Sequence, residues 1–277
     1  MTGLSIGESL AYINWTVLST LAVGSFTAVV LLRLRTDATR GFLGFTACCA
    51  AALAALAVLA DTALPPPSSN LAIVASPGLD LPRRAALALL AILALVYVLA
   101  LARNRRAPAI GITGVLAGVL ALALAAYGWA GGLARGVPLA VQLLVLAAAL
   151  GGVLAAMILG HWYLVTPRLS ERPLVLLARA LLWVVVAQLA LFVAWMATGA
   201  GLGKPPFEPL IGAWALFVWL RLLIGLVFPV AVTWGALQTA RTRSMESATG
   251  LLYIDVGAVA AGTILAAGLY FGAGLLA

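Results

Sequence analysis

Eight apolar runs of 18 to 30 residues, separated by short polar connections, constrain this chain more than any other feature. They fall near 9–32, 41–61, 85–102, 108–131, 138–163, 174–198, 209–238 and 248–275. A helix rises about 1.5 Å per residue, so roughly 20 residues cross the hydrocarbon core of a bilayer. Inside lipid every backbone N–H and C=O must find its partner within the protein, which leaves helices or closed barrels. The runs are dominated by Leu and Ala and lack the short two-residue alternation of barrel strands. The expected fold class is therefore all-α, a polytopic transmembrane bundle of eight helices. Composition agrees: 65% of residues are hydrophobic and 9% are charged, where a soluble domain carries about a quarter charged residues. The arginines near the first run follow it, so it reads as a retained span and not a cleavable signal peptide.

The connections sort by charge. Arg33, Arg35 and Arg40 follow run 1; Arg103, Arg105 and Arg106 follow run 3. Arg168 and Arg172 follow run 5, with Arg179 just inside run 6, and Arg241 and Arg243 follow run 7, which makes eleven. The alternate connections hold four bases, Arg83, Arg84, Arg135 and Lys204. By the positive-inside rule the odd-numbered connections face the cytoplasm and both termini lie outside. The expectation is a multi-pass protein of the cell inner (plasma) membrane. Its net charge of +8 is concentrated on the cytoplasmic face, where anionic lipid would hold it. Basic residues scattered between apolar runs report topology, so nucleic acid is excluded as a partner. A protein partner or a second copy of the chain is left open.

Neither long connection is large enough for a soluble domain, and 1–277 is expected to form one integral membrane domain. The helix count divides into four and four, and "GITGVLAG" at 111–118 opens run 4 much as "SATGLLYI" at 247–254 opens run 8. Tandem parallel halves, 1–136 and 137–277, are the corresponding expectation. Small residues recur at four-residue spacing in Gly152, Ala156 and Gly160, in Gly114 and Gly118, and in Ala258 and Gly262. Such ridges read as packing seams, because helices in lipid associate by close approach.

Few groups offer chemistry. Cys48 and Cys49 are neighbours in an apolar run and read as small packing residues, since adjacent cysteines seldom meet disulfide geometry. His161 is the chain's one histidine. It ends run 5 beside Trp162 and Tyr163, which suits an interfacial ring, with a proton or headgroup contact as the alternative. Haem held by two histidines is excluded, no zinc ligand set is visible, and no cofactor is expected.

Arg221 and Asp255 stand within apolar runs, where a charge is costly and faces the bundle interior. Counted from Pro209, Arg221 lies about 18 Å below the outer surface; counted from Ser247, Asp255 lies about 12 Å above the inner one. These depths place the two near mid-membrane as neighbours, and they form the candidate polar site. Pro229 would free a carbonyl near residue 225 and bend the helix.

The function these residues favour is a small-solute or ion carrier with a midplane polar site. The alternative is a haem-free membrane subunit that binds quinone or lipid and docks a peripheral partner on its basic cytoplasmic face. A second alternative is a membrane-embedded enzyme acting on lipid. It has the least support, because no paired carboxylates or serine–histidine arrangement is visible. No catalytic residue is assigned.

Overall fold

The computed structural model describes residues 3–67, 71–74, 76–105, 107–166, 168–199 and 205–277, with side chains from Ser9 onward. Arg106, Lys204 and the Glu8 side chain lie outside the described residues. The chain is helical: α1 (Gly3–Arg35), α2 (Arg40–Thr62), α3 (Asp80–Ala102), α4 (Pro108–Ala130), α5 (Leu133–Val165) and α6 (Arg172–Thr198) come first. The seventh span is compound: α7 (Ala215–Leu222) runs through a π-helical turn (Leu223–Val227) into α8 (Phe228–Arg241). α9 (Met245–Ala273) completes eight helices long and apolar enough to cross a membrane.

Four helix starts differ from the apolar runs by five or six residues, those of α1, α3, α5 and the seventh span, and the last two have a visible cause. Gly131 (φ 72°) takes the left-handed conformation that glycine adopts without penalty. The chain reverses there within two residues, so α5 starts at Leu133 and carries Pro138 inside it. The seventh span instead starts late. Pro209 lies in a 3-10 turn (Glu208–Leu210), with Gly212 N–H bonded back to the Glu208 carbonyl. The helix begins only at Ala215.

The helices pack as two rings of four. α1 touches α2, α2 touches α3, α3 touches α4, and α4 returns to α1; α5, α6, α8 and α9 close in the same way. The rings join chiefly through α1 and α5. There a Cβ on Gly24 would run into the Ala147 carbonyl, and one on Gly151 into the backbone of Gly24 and Ser25. The two backbones therefore touch, which only glycine permits. The small-residue ridges are seams as expected at Gly114 against Phe26, Gly118 against Val23, and Gly160 against Thr249. The tightest crossing, Gly24 with Gly151, lies outside those ridges.

One end of the bundle carries Arg33, Arg35, Arg40 and Arg172, and is called the arginine-rich end below; the other carries Pro65, Pro66 and Pro67.

Candidate functional site

The seventh span is broken where its sequence requires it. Pro229 has no N–H to give to Gly225, four residues earlier. The backbone resolves this as a π turn, in which the Phe228 N–H reaches the Leu223 carbonyl. The Gly225 carbonyl is left over, and Arg221 Nη1 donates to it at 3.0 Å. Arg221 Nε donates to the backbone oxygen of Ala277 at 3.3 Å, and Nη2 to Gln188 Oε1 at 3.4 Å. Ala277 arrives there because α9 ends in a reversal at Gly274 (φ 67°), with Leu275 N–H bonded six residues back to Leu269. Residues 275–277 then tuck into the bundle, all three buried.

Room for the guanidinium comes from α9. Gly225 and Gly262 face each other so closely that a Cβ on Gly262 would sit 2.6 Å from Gly225 Cα and 2.7 Å from Arg221 Nη1. Arg221 is thus a buried cation held by main-chain oxygens of Gly225 and Ala277 and by the Gln188 side-chain oxygen.

Asp255 lies elsewhere on α9. Thr233 Oγ1, on α8, donates to its Oδ2 at 2.6 Å, while Oδ1 is buried without a hydrogen-bond partner. Both expected residues face the interior, but the structure does not bring them together: no ion pair links them. The depth estimate is corrected by the late start of the helix. Arg221 is six residues past Ala215, about 9 Å into the span by helical rise. Asp255 is seven residues from Gly262, the residue opposite Arg221, about 10 Å along the axis. The interior site has two tiers, one cationic and one carboxylic.

A second polar centre lies at the proline-rich end, and it escaped the sequence reading. Asp61, at the end of α2, accepts Arg83 Nε at 2.7 Å on Oδ2 and Arg83 Nη2 at 3.2 Å on Oδ1. Trp15 Nε1 adds 2.8 Å to Oδ2, and Arg84 Nε adds 3.1 Å to Oδ1. Arg83 Nη1 turns to Asp80 at 2.8 Å, one helical turn away. Its guanidinium carbon lies 5.2 Å from the Trp129 ring centre and 5.8 Å from that of Trp15. Tyr12, Trp15, Trp129 and Phe271 stack edge-on or tilted around it. Two arginines meet two aspartates, so the cluster is neutral. It walls a cavity of about 370 Å³. The available signal was topological: α2 and α3 are consecutive antiparallel neighbours, so the end of one and the start of the next share a level. Arg83 and Arg84 read by themselves only as topology charges.

His161 is exposed near the end of α5, and its neighbours do the packing. Trp162 covers Gly41, and Tyr163 donates to the Ser170 carbonyl. Among the described residues no group of three or more His, Cys, Asp and Glu side chains converges as a metal would need.

Comparison with known proteins adds no identity: no family model, no curated protein and no solved structure matches the chain.

Proposed function

We propose that this chain is a small-solute or ion carrier of the plasma membrane, with Arg221 and Asp255 as its interior polar site. One observation carries the reading. Two charged side chains sit inside the bundle and no ion pair joins them: Arg221 binds main-chain oxygens of Gly225 and Ala277 and the Gln188 amide, and Asp255 accepts from the Thr233 hydroxyl. A membrane-embedded charge that served packing alone would be expected to have an opposite charge beside it. A cation with no acidic side chain beside it can take an anion, and a carboxylate with one free oxygen can take a proton or cation. The π turn between the two tiers supports the same reading, because irregular backbone at membrane depth is tolerated where it serves a buried site.

The orientation belongs to the proposal. Eleven bases against four put the arginine-rich end in the cytoplasm and both termini outside. The two rings of four helices support an arrangement in tandem halves.

Purified protein in liposomes, adsorbed on a solid-supported membrane, provides the test. Concentration jumps of protons, alkali cations, halides and small carboxylates should evoke a protein-dependent current with at least one of them. Asp255→Asn and Arg221→Gln should remove that current. Currents equal to those of protein-free liposomes across the whole panel would refute the carrier. The orientation is tested in a Cys48→Ala, Cys49→Ala background. Thr62→Cys should react with an impermeant thiol reagent on intact cells and Asn104→Cys should not; the reverse pattern would invert the topology.

A further inference from the structure

The arginine-rich end contains a site that the carrier reading does not use. The end of α1 and the starts of α2, α4 and α6 surround a cavity of about 790 Å³, within the range of ligand pockets. Arg33, Arg35, Arg40 and Arg172 line it, with Asp37 as the one acidic residue. Among the described residues none of these five charged side chains has a hydrogen-bond or ion-pair partner. Arg243, at the same end of the bundle, is by contrast engaged by Glu171 at 2.7 Å and by the Leu169 carbonyl.

The backbone adds to the positive field. Thr39, Pro108 and Arg172 all line the cavity, and they mark the starts of α2, α4 and α6. A helix start presents free N–H groups and the positive end of the helix dipole. At α2 the cap residue leaves those groups open. Thr39 makes no side-chain cap bond, and its Oγ1 is buried without a partner. Unengaged amides at the start of α2 and four guanidinium groups around one space match an anion with several acceptor oxygens. Guanidinium groups pair with phosphate through parallel N–H···O bonds. Chloride would use the charge but not that geometry.

We infer that this cavity is a binding site for a phosphate-bearing ligand, held by Arg33, Arg35, Arg40 and Arg172 with the start of α2. The phosphate can come from the headgroup of an anionic phospholipid in the surrounding leaflet or from a soluble phosphate compound. The two sources share the recognition chemistry and differ in how they reach the site.

The test uses the full-length protein and two charge-matched double variants. Arg40→Gln with Arg172→Gln removes two exposed arginines from the cavity. Arg103→Gln with Arg105→Gln removes two exposed arginines from the same end but outside it. Native mass spectrometry from detergent, after incubation with phosphatidylglycerol or phosphatidylcholine, reads the lipid source. Binding of radiolabelled pyrophosphate to protein in phosphatidylcholine nanodiscs reads the soluble one.

The expected result is saturable binding of phosphatidylglycerol over phosphatidylcholine, of pyrophosphate, or of both. The cavity variant should weaken it about tenfold or more, and the outside variant should leave it nearly unchanged. Lipid binding alone identifies a headgroup site, pyrophosphate binding alone a soluble-ligand site, and both an open phosphate site. Equal effects of the two double variants would reduce the feature to bulk surface charge and overturn the inference, as would absence of binding to either probe. If the cavity variant does not fold, shown by its melting curve, Arg35→Gln with Arg172→Gln replaces it under the same criteria.

Discussion

Asp61 and Asp255 are both enclosed aspartates, yet their surroundings are opposites. Asp61 accepts four side-chain hydrogen bonds from Trp15, Arg83 and Arg84. Asp255 accepts one, from Thr233, and keeps an oxygen without a partner. The arginines differ in the same sense. Arg83 is held by two carboxylates, whereas Arg221 is held by two backbone oxygens and an amide. A carboxylate saturated by guanidinium and indole donors joins α1, α2 and α3 and has little capacity left for a ligand. A carboxylate or guanidinium with no oppositely charged side chain beside it can still gain by binding an incoming ion. Burial therefore does not distinguish a structural charge from a functional one; the identity of the partner does.

The largest effect should come from breaking the saturated centre. Asp61→Asn leaves the Arg83 guanidinium, with a side chain 2% exposed, beside a neutral amide. Loss of one partner from a buried pair costs on the order of 3–5 kcal/mol. Thermal unfolding in detergent should show that variant far below the parent. A loss under about 1 kcal/mol, the scale of exposed pairs, would mean that water reaches the cluster freely.

Double-mutant cycles sharpen the contrast. Asp61→Asn with Arg83→Gln should show a coupling of roughly 1–3 kcal/mol, as contacting residues do. Arg221→Leu with Asp255→Leu should be additive to within about 0.5 kcal/mol, since the two share no partner. Strong coupling in the second cycle would restore the direct pair and remove the two-tier description.

Gly262→Ala probes the cationic tier alone. The added methyl would contact Gly225 Cα and Arg221 Nη1 at 2.6 and 2.7 Å. Overpacking of this kind costs roughly 1–3 kcal/mol. The carrier current should fall with it, while the Asp61 centre, whose hydrogen bonds lie among α1, α2 and α3, keeps its own coupling unchanged. The smallest effect belongs to His161→Ala. An exposed ring that makes no hydrogen bond should change stability by no more than about 0.5 kcal/mol, and a larger loss would show that the ring has a packing or binding role.

The membrane bundle was legible in the sequence because its cause is local. Eight runs of apolar residues meet the length and bonding demands of lipid one by one, without reference to neighbours. The inward placement of Arg221 and Asp255 was legible for the same reason, as was the carbonyl freed by Pro229. What each charge would meet was not. The depth of Arg221 depended on where α7 begins, and that is decided by the turn around Glu208–Gly212 and not by hydropathy. The α1–α5 crossing at Gly24 and Gly151, the return of residues 275–277 to Arg221, and the convergence of Asp61, Arg83, Arg84 and Trp15 all join residues distant in sequence. Hydrophobicity acts residue by residue and so can be read along the chain. Charge pairing and backbone contact act across space over a few ångströms, and only the packed helices determine which groups come that close.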